Sequence, residues 1–229
     1  MIYEVSCFPS PGLVSPVSAG AHRDIGKEAE REMFCKTKGV NTHKSRLFLM
    51  GIACAAAGKA IYENKGFNEM QSIIKEMTAG LVEKELVVLK DKDNLSNGER
   101  LYLKHKIRGI RGEAEEGIPT VFKFSLGFYK DSAELSINDR LVHTLLGIMQ
   151  FCDDSTIIHR HNTQVLLEVQ QRAKRIVCAG GMKSEQGREM IESMCHEFVE
   201  KNISPGGSAD LLGVTVFLYF VEKFMDNLT

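Results

Sequence analysis

A short polar stretch at residues 204–210, Ser-Pro-Gly-Gly-Ser-Ala-Asp, directly precedes an apolar segment with helical character. Pro205 favours a turn, the two glycines free the backbone, and Ser208 is predicted to cap the helix that follows. Uncovered amides at a helix N-terminus attract anions because they lie at the positive end of the helix dipole. The stretch therefore predicts a phosphate site, with an ordinary capped loop as the alternative. Its candidate binding residues are Ser204, Gly206, Gly207 and Ser208.

Two groups of acidic residues could hold a metal ion. If the first group is helical, Glu113 and Glu116 lie one turn apart on one face, where a hard divalent cation would relieve the repulsion between them. Its alternative is a solvated charged turn. Asp153 and Asp154 form the second group, which could bind metal while Arg160 binds phosphate. Its alternative is an acidic turn with a helix-capping Asp.

A third polar group occupies four successive positions directly before a predicted helix. Asn41, Thr42, His43 and Lys44 offer an amide, a hydroxyl, an imidazole and an ammonium group. Such a set can bind a ribose or a phosphate, with Lys44 as the point charge. An exposed cap followed by a surface lysine is the alternative.

The sequence His22-Arg23-Asp24 is similar to the His-Asp motif of metal-dependent phosphohydrolases. Those enzymes use adjacent His and Asp, whereas Arg23 separates the two residues here. The match therefore favours a phosphohydrolase only weakly.

Helical periodicity dominates the segments between these polar groups, and no alternating strand pattern or fixed-period repeat accompanies it. We predict an all-α, single-domain multi-helix bundle over residues 1–229, with glycine-rich polar breaks lining one cleft. Residues 120–129 fit helix or strand by periodicity, and helix is predicted because no strand partner is near. Residues 1–24 are predicted to be loop. The predicted helices span residues 25–35, 45–63, 67–89, 99–107, 120–129, 137–152, 163–178, 184–202 and 209–227.

Composition limits the partners of the chain. The 29 basic and 30 acidic side chains nearly cancel, so no overall field would attract nucleic acid or an anionic membrane. No window is apolar enough for a membrane span and no signal peptide begins the chain, so a cytoplasmic location is expected. Six scattered cysteines without a Cys-x-x-Cys pair predict mainly buried free thiols. Walker and Rossmann motifs are absent.

Five motifs in order resemble the CitG-type triphosphoribosyl-dephospho-coenzyme A synthase family, from Glu4 to the last helix. Each motif alone is modest, whereas five in sequence are specific. The motifs are residues 4–14 with their prolines, Gly-Ala-His-Arg-Asp at 20–24, Gly-Val-Asn-Thr-His-Lys at 39–44, Gly-Ile-Arg-Gly-Glu-Ala at 109–114, and residues 204–210.

The resemblance implies an all-helical enzyme that converts ATP and 3'-dephospho-CoA into 2'-(5''-triphosphoribosyl)-3'-dephospho-CoA and releases adenine. The product is the precursor of the prosthetic group on the acyl carrier subunit of citrate lyase, and relatives serve malonate decarboxylase. Whether the enzyme forms a homodimer is left open.

The resemblance also implies roles for the candidate residues. Mg²⁺ would be held by Glu113 and Glu116 with Asp153 or Asp154, and Glu113 would also stabilise the positive charge that develops on the ribose. The general base would be Asp24, Glu4 or Asp210. The phosphate and substrate ligands would be His22, Asn41, His43, Lys44, Arg111, Arg160, Ser204, Gly206, Gly207 and Ser208.

The chain departs from the family pattern at three places. Ser45 stands where glycine is usual, and His161 and Asn162 stand where two glycines usually follow the arginine. Relatives also carry an extra helical stretch between the positions of Asp24 and Ile25, so a segment is deleted or omitted there. A magnesium-dependent all-α nucleotide hydrolase and a helical interaction module are the alternative functions.

Overall fold

The computed structural model describes residues 19–39, 43–87 and 95–228, with only the backbone described for residues 19–25. Within those ranges every regular element is a helix, which confirms the all-α prediction. Residues 120–129 are helical, as predicted. None of the described helices combines the length and the apolar character that a membrane crossing needs.

Eleven α-helices are described, together with four shorter helical turns. The helices are α1 (Ala19–Lys36), α2 (Lys44–Tyr62), α3 (Met70–Thr78), α4 (Asn97–His105), α5 (Gly109–Glu115), α6 (Leu126–Lys130), α7 (Ile137–Met149), α8 (Ser155–Arg160), α9 (Thr163–Cys178), α10 (Glu185–Glu200) and α11 (Gly206–Asp226). The 3₁₀ turns are Phe67–Glu69 and Gly181–Lys183, and the π turns are Glu83–Val87 and Val121–Ser125.

The first hydrophobic core surrounds α2 and α11, which pack against each other. The face of α2 toward this core carries Ala53, Ala56, Ala57 and Ala60, all buried. Small side chains at this spacing allow neighbouring helices to approach closely. This close packing places the N-terminal turns of α2 and α11 side by side, where the candidate site lies.

The second core lies between α7, α9 and α10. Buried side chains recur on α9 at Leu166, Val169, Ala173 and Ile176, a helical period that the sequence shows directly. Helix α7 packs against both α9 and α11 and so connects the two cores.

Several predicted boundaries were wrong. Helix α1 begins at Ala19, so residues 19–24 are helical, because no proline lies between Pro16 and the end of α1 at Lys36 and alanines favour helix. The predicted helix at residues 67–89 is interrupted where α3 ends at Thr78, before a turn at Ala79 and Gly80. The polar segments at residues 108–117 and after Asp153 contain the short helices α5 and α8.

The prediction of mainly buried thiols was also wrong. Of the described cysteines, Cys152 is buried, whereas Cys35, Cys54, Cys178 and Cys195 are exposed. Aliphatic neighbours along the chain do not show which face of a helix a residue occupies. Cys7 lies outside the described residues.

Gly187 lets α10 approach the turn before it, and its replacement by alanine should destabilise the fold. A Cβ atom there would lie 2.1 Å from the Gly181 carbonyl oxygen, a backbone atom that cannot move aside alone. We expect a loss of about 2 kcal/mol, seen as a fall in Tm of about 4–8 °C in thermal unfolding followed by circular dichroism. The control is Gly127→Ala on α6, where nothing lies within 4 Å. Equal Tm values for the two variants would contradict the assignment.

Candidate active site

Asp154 joins the N-termini of α8 and α11. Its Oδ1 accepts hydrogen bonds from the Thr156 amide at 3.0 Å and the Ile157 amide at 3.3 Å, so it caps α8. Its Oδ2 accepts from the Ser208 amide at 2.8 Å and the Ser208 hydroxyl at 3.0 Å. Only 1% of Asp154 is exposed, so this carboxylate holds two helix ends together inside the protein.

This arrangement corrects the role predicted for Ser208. The N-cap position of α11 belongs to Pro205, which makes no side-chain capping bond, and Ser208 lies inside the helix as a donor. The capping charge comes instead from Asp154, which is 54 residues away in sequence. Because Asp154 already occupies the Ser208 amide and hydroxyl, those groups are less available to a phosphate than the sequence suggested.

The glycines of the 204–210 stretch allow α11 to lie close to α8. A Cβ atom at Gly206 would lie 2.7 Å from Thr156 Oγ1, and one at Gly207 would lie 3.1 Å from Asp154 Cγ. Both glycines and Ser204 are partly exposed. The stretch is therefore a packing contact between two helix N-termini as well as a candidate phosphate site.

Asp210, in the second turn of α11, lies beside Ser45 and Arg46 at the start of α2. Burial raises its pKa to about 6, and the nearby charge of Asp154 adds to that effect. The Arg46 charge and a hydrogen bond with Ser45 act in the opposite direction. A carboxylate with such a pKa is ionised at neutral pH yet basic enough to accept a proton in a reaction.

The other two candidate bases cannot be placed in the same way. Glu4 lies outside the described residues. Asp24 and the candidate ligand His22 lie in the first residues of α1, and for residues 19–25 only the backbone is described.

Glu113 on α5 is a second carboxylate with a raised pKa. Burial is the main cause, and the charges of Glu116 and Asp153 raise it further, whereas hydrogen bonds from Thr120 oppose the shift. The Thr120 hydroxyl donates to one Glu113 oxygen, and the Thr120 amide donates to the other at 3.4 Å. The fold thus brings Glu113 within electrostatic reach of Asp153, although 40 residues separate them in sequence.

The predicted magnesium ligands are only partly brought together. Glu116 pairs with Arg108, and Asp153 is exposed. Asp154 fits a metal poorly, because both of its oxygens accept internal hydrogen bonds. Within residues 19–39, 43–87 and 95–228, no three His, Cys, Asp or Glu side chains form a ready metal site. The mutual repulsion of Glu113, Glu116 and Asp153 nevertheless suits a divalent cation, and the magnesium site stays a prediction.

The predicted phosphate ligands occupy several environments. Lys44 pairs with Glu30 of α1, and Arg111 pairs with Glu85, with 2.8 Å between Nε and Oε2. Arg160 Nη1 lies 3.5 Å from Asn202 Oδ1. His43 is the N-cap residue of α2 and makes no side-chain capping bond, and Asn41 lies outside the described residues.

Three neighbours of the site were not identified from the sequence. Arg46 and Ser45 lie beside Asp210, and Thr120 binds Glu113. One sequence signal pointed to Arg46. It is a lone arginine in the first turn of a largely apolar helix, soon after the polar residues 41–44.

Together, the helices and the site define an all-α protein in which the N-termini of α2, α8 and α11 meet around the buried Asp154 and the partly buried Asp210. Such a site suits a phosphorylated substrate whose reaction needs a proton acceptor. The chain belongs to the CitG family of ATP:dephospho-CoA triphosphoribosyl transferases, whose family model matches residues 18–228. This confirms the resemblance, and the alternative of a hydrolase finds no support.

Curated relatives agree with the family match. A probable 2-(5''-triphosphoribosyl)-3'-dephosphocoenzyme-A synthase of Malonomonas rubra is 34% identical, over 98% of this chain and 86% of its own. One of Lactiplantibacillus plantarum with the same name is 36% identical, over 95% of this chain and 92% of its own. Protein CitXG of Leuconostoc mesenteroides subsp. cremoris is 33% identical, over 95% of this chain and 56% of its own. No solved structure matches the chain.

The alignment lengths can be compared with the extra segment that relatives are expected to carry between the positions of Asp24 and Ile25. The alignment with the Malonomonas rubra relative has 275 positions, 46 more than the 229 residues of this chain, so parts of that relative have no counterpart here. Helix α1 is continuous through Asp24 and Ile25. That the extra residues of the relative fall at this point stays a prediction.

Proposed function

We propose that this chain transfers the triphosphoribosyl group of ATP to the 2'-hydroxyl of 3'-dephospho-CoA, with Asp210 as the general base. The family match supports the reaction. The observation that carries the assignment of the site is the position of Asp210, a partly buried carboxylate where the N-terminal turns of α2 and α11 meet beside Asp154.

In this proposal Asp210 accepts the proton of the 2'-hydroxyl as that oxygen bonds to the anomeric carbon of the ATP ribose. The bond from the anomeric carbon to adenine breaks at the same centre, and its electron pair leaves with the adenine nitrogen, which takes up a proton. The ribose develops positive charge in the transition state, and the carboxylate of Glu113 would stabilise it.

Anion binding would come from the helix N-termini and nearby cations. The amides of Gly206 and Gly207 lie in the first turn of α11, and Lys44 begins α2. A Mg²⁺ ion held by Glu113, Glu116 and Asp153 would offset the charge of the triphosphate. We further propose that the product serves as prosthetic-group precursor for the acyl carrier subunit of citrate lyase or of malonate decarboxylase. Homodimer formation and a cytoplasmic location stay predictions.

The proposal is tested by incubating the chain with ATP and Mg²⁺, with and without 3'-dephospho-CoA. We expect free adenine, measured by chromatography, only when both substrates are present. Release of phosphate or pyrophosphate without dephospho-CoA would instead identify a hydrolase. If neither product forms, the proposed function is wrong and a helical interaction module is the better interpretation.

Replacing Glu113 with glutamine should lower the rate of adenine release about a hundredfold or more, because the change removes a negative charge while keeping the shape of the side chain. Glu115→Gln on the same helix is the matched control and should keep the wild-type rate. Circular dichroism should show both variants folded. A fully active Glu113→Gln variant would remove Glu113 from the mechanism.

A further inference from the structure

Arg46 lies across α11 in a notch that a glycine creates. A Cβ atom at Gly213 would lie 2.6 Å from Arg46 Cδ and 3.6 Å from its Cγ and Nη1. The stem of Arg46 therefore packs against the α11 backbone, in space that any other residue at position 213 would fill. Gly213 lies three residues after Asp210, so the notch and the carboxylate share one face of the helix.

Arg46 is partly buried, and its guanidinium group has no partner among the described residues. It makes neither a hydrogen bond nor an ion pair within the described part of the chain, and its charge acts on Asp210 from beyond ion-pairing distance. Burying a cation without hydrogen bonds is costly unless water or a ligand supplies the acceptors.

The candidate Arg160 is exposed and lies beside Asn202 Oδ1, whereas three other cations differ from Arg46 because each pairs with a carboxylate. Lys44 pairs with Glu30, Arg111 with Glu85, and Arg108 with Glu116. Each of those charges is already balanced by a carboxylate. None of the described side chains accepts a hydrogen bond from Arg46, which lies beside the proposed general base, where a substrate must lie.

We propose that Arg46, held by the Gly213 notch, binds the oligophosphate chain of a substrate. The assignment rests on the proposed function and adds a binding residue to its site. A guanidinium group offers paired donors that match phosphate oxygens, which suits this role better than a lysine would. The chain could be the triphosphate of ATP or the diphosphate of 3'-dephospho-CoA, because both substrates must meet beside Asp210.

The test uses the full chain with Arg46→Met, Arg46→Lys and Gly213→Ala, and with Arg175→Met as control. Arg175 is exposed in the last turn of α9, and its side chain makes no hydrogen bond or ion pair with the described residues. Michaelis constants are measured separately for ATP and for 3'-dephospho-CoA. Binding of inorganic tripolyphosphate is measured by calorimetry without turnover.

We expect Arg46→Met to raise the KM of one substrate about tenfold or more, with a smaller effect on kcat and an unchanged Tm. Arg46→Lys keeps the charge but loses the paired donors, so its KM should be intermediate. Gly213→Ala keeps Arg46 but displaces its stem, so the same KM should rise. The substrate whose KM rises is the one whose phosphate chain Arg46 binds. If Arg46→Met also binds tripolyphosphate more weakly than the wild type, that chain is the triphosphate of ATP.

Two failures can be told apart. If the wild-type chain releases adenine and Arg46→Met leaves both KM values and tripolyphosphate binding within about twofold of wild type, the role of Arg46 is overturned and the proposed function stands. If the wild-type chain releases no adenine, the proposed function fails. The calorimetric comparison of wild type with Arg46→Met then still decides whether Arg46 binds phosphate.

Discussion

Replacing Asp210 with asparagine is expected to lower kcat about a thousandfold, because the side chain loses its ability to accept the proton of the attacking hydroxyl. In the wild-type chain, kcat should rise with pH up to about pH 6, where Asp210 becomes ionised, and then level off. The residual activity of Asp210→Asn should lose that dependence. Adenine release measured between pH 5 and pH 8 provides the test.

The same substitution should not destabilise the fold. The folded pKa of Asp210, about 6, is higher than the value of 3.8 for a free side chain, so the folded state binds the proton more tightly than the unfolded state. Protonated Asp210 stabilises the fold fully below its unfolded-state pKa of 3.8. This contribution is lost as the pH rises through the folded-state pKa of about 6. At pH 7 the ionised Asp210 therefore opposes folding, and Asp210→Asn should have an equal or higher Tm.

A matched control lies on the same helix. Asp226 ends α11, about 24 Å from Asp210 at 1.5 Å per residue, and Asp226→Asn should keep both the rate and its pH dependence. A wild-type rate in Asp210→Asn would exclude this residue as the base and return the role to Asp24 or Glu4.

The second large effect concerns stability. Asp154→Ala is expected to cost about 3–5 kcal/mol, because it removes the cap of α8 and leaves the Ser208 amide and hydroxyl without an acceptor in the protein interior. For a chain of this length the loss corresponds to a fall in Tm of about 6–20 °C. Thermal unfolding followed by circular dichroism measures it.

Two further variants separate the contributions. Ser208→Ala removes only the hydroxyl bond and should cost about 1 kcal/mol. Asp153→Ala changes the exposed neighbouring carboxylate and should alter stability by about 0.5 kcal/mol or less. If Asp154→Ala unfolds like the wild type but no longer gains stability from added Mg²⁺, Asp154 is a metal ligand and its structural role is refuted.

The helices could largely be predicted from the sequence, because the apolar side chains that fill each core recur at the helical period. Leu166, Val169, Ala173 and Ile176 of α9 show this pattern without any knowledge of their partners. Helix boundaries were less certain, as at α1 and α8, because local propensity there competes with polar and glycine residues that also occur in loops.

The partners of the polar side chains were harder to predict. Asp153 and Asp154 are neighbours with the same functional group, yet one is exposed and the other is 1% exposed and fully hydrogen-bonded. The choice depends on the packing of α11 against α8, which no local pattern encodes. Helix-capping by an Asp was one of the alternatives for this pair, and the structure confirms it for Asp154.

The sequence by itself determined the all-helical fold and the family, because periodicity and ordered motifs are properties of the linear chain. Only the tertiary structure decided that Asp154 joins α8 to α11, that Asp210 lies in a partly buried position with a raised pKa, and that Arg46 occupies a glycine notch beside it. Burial, electrostatic coupling and close approach depend on distances between residues far apart in sequence, and the packing of the helices sets those distances.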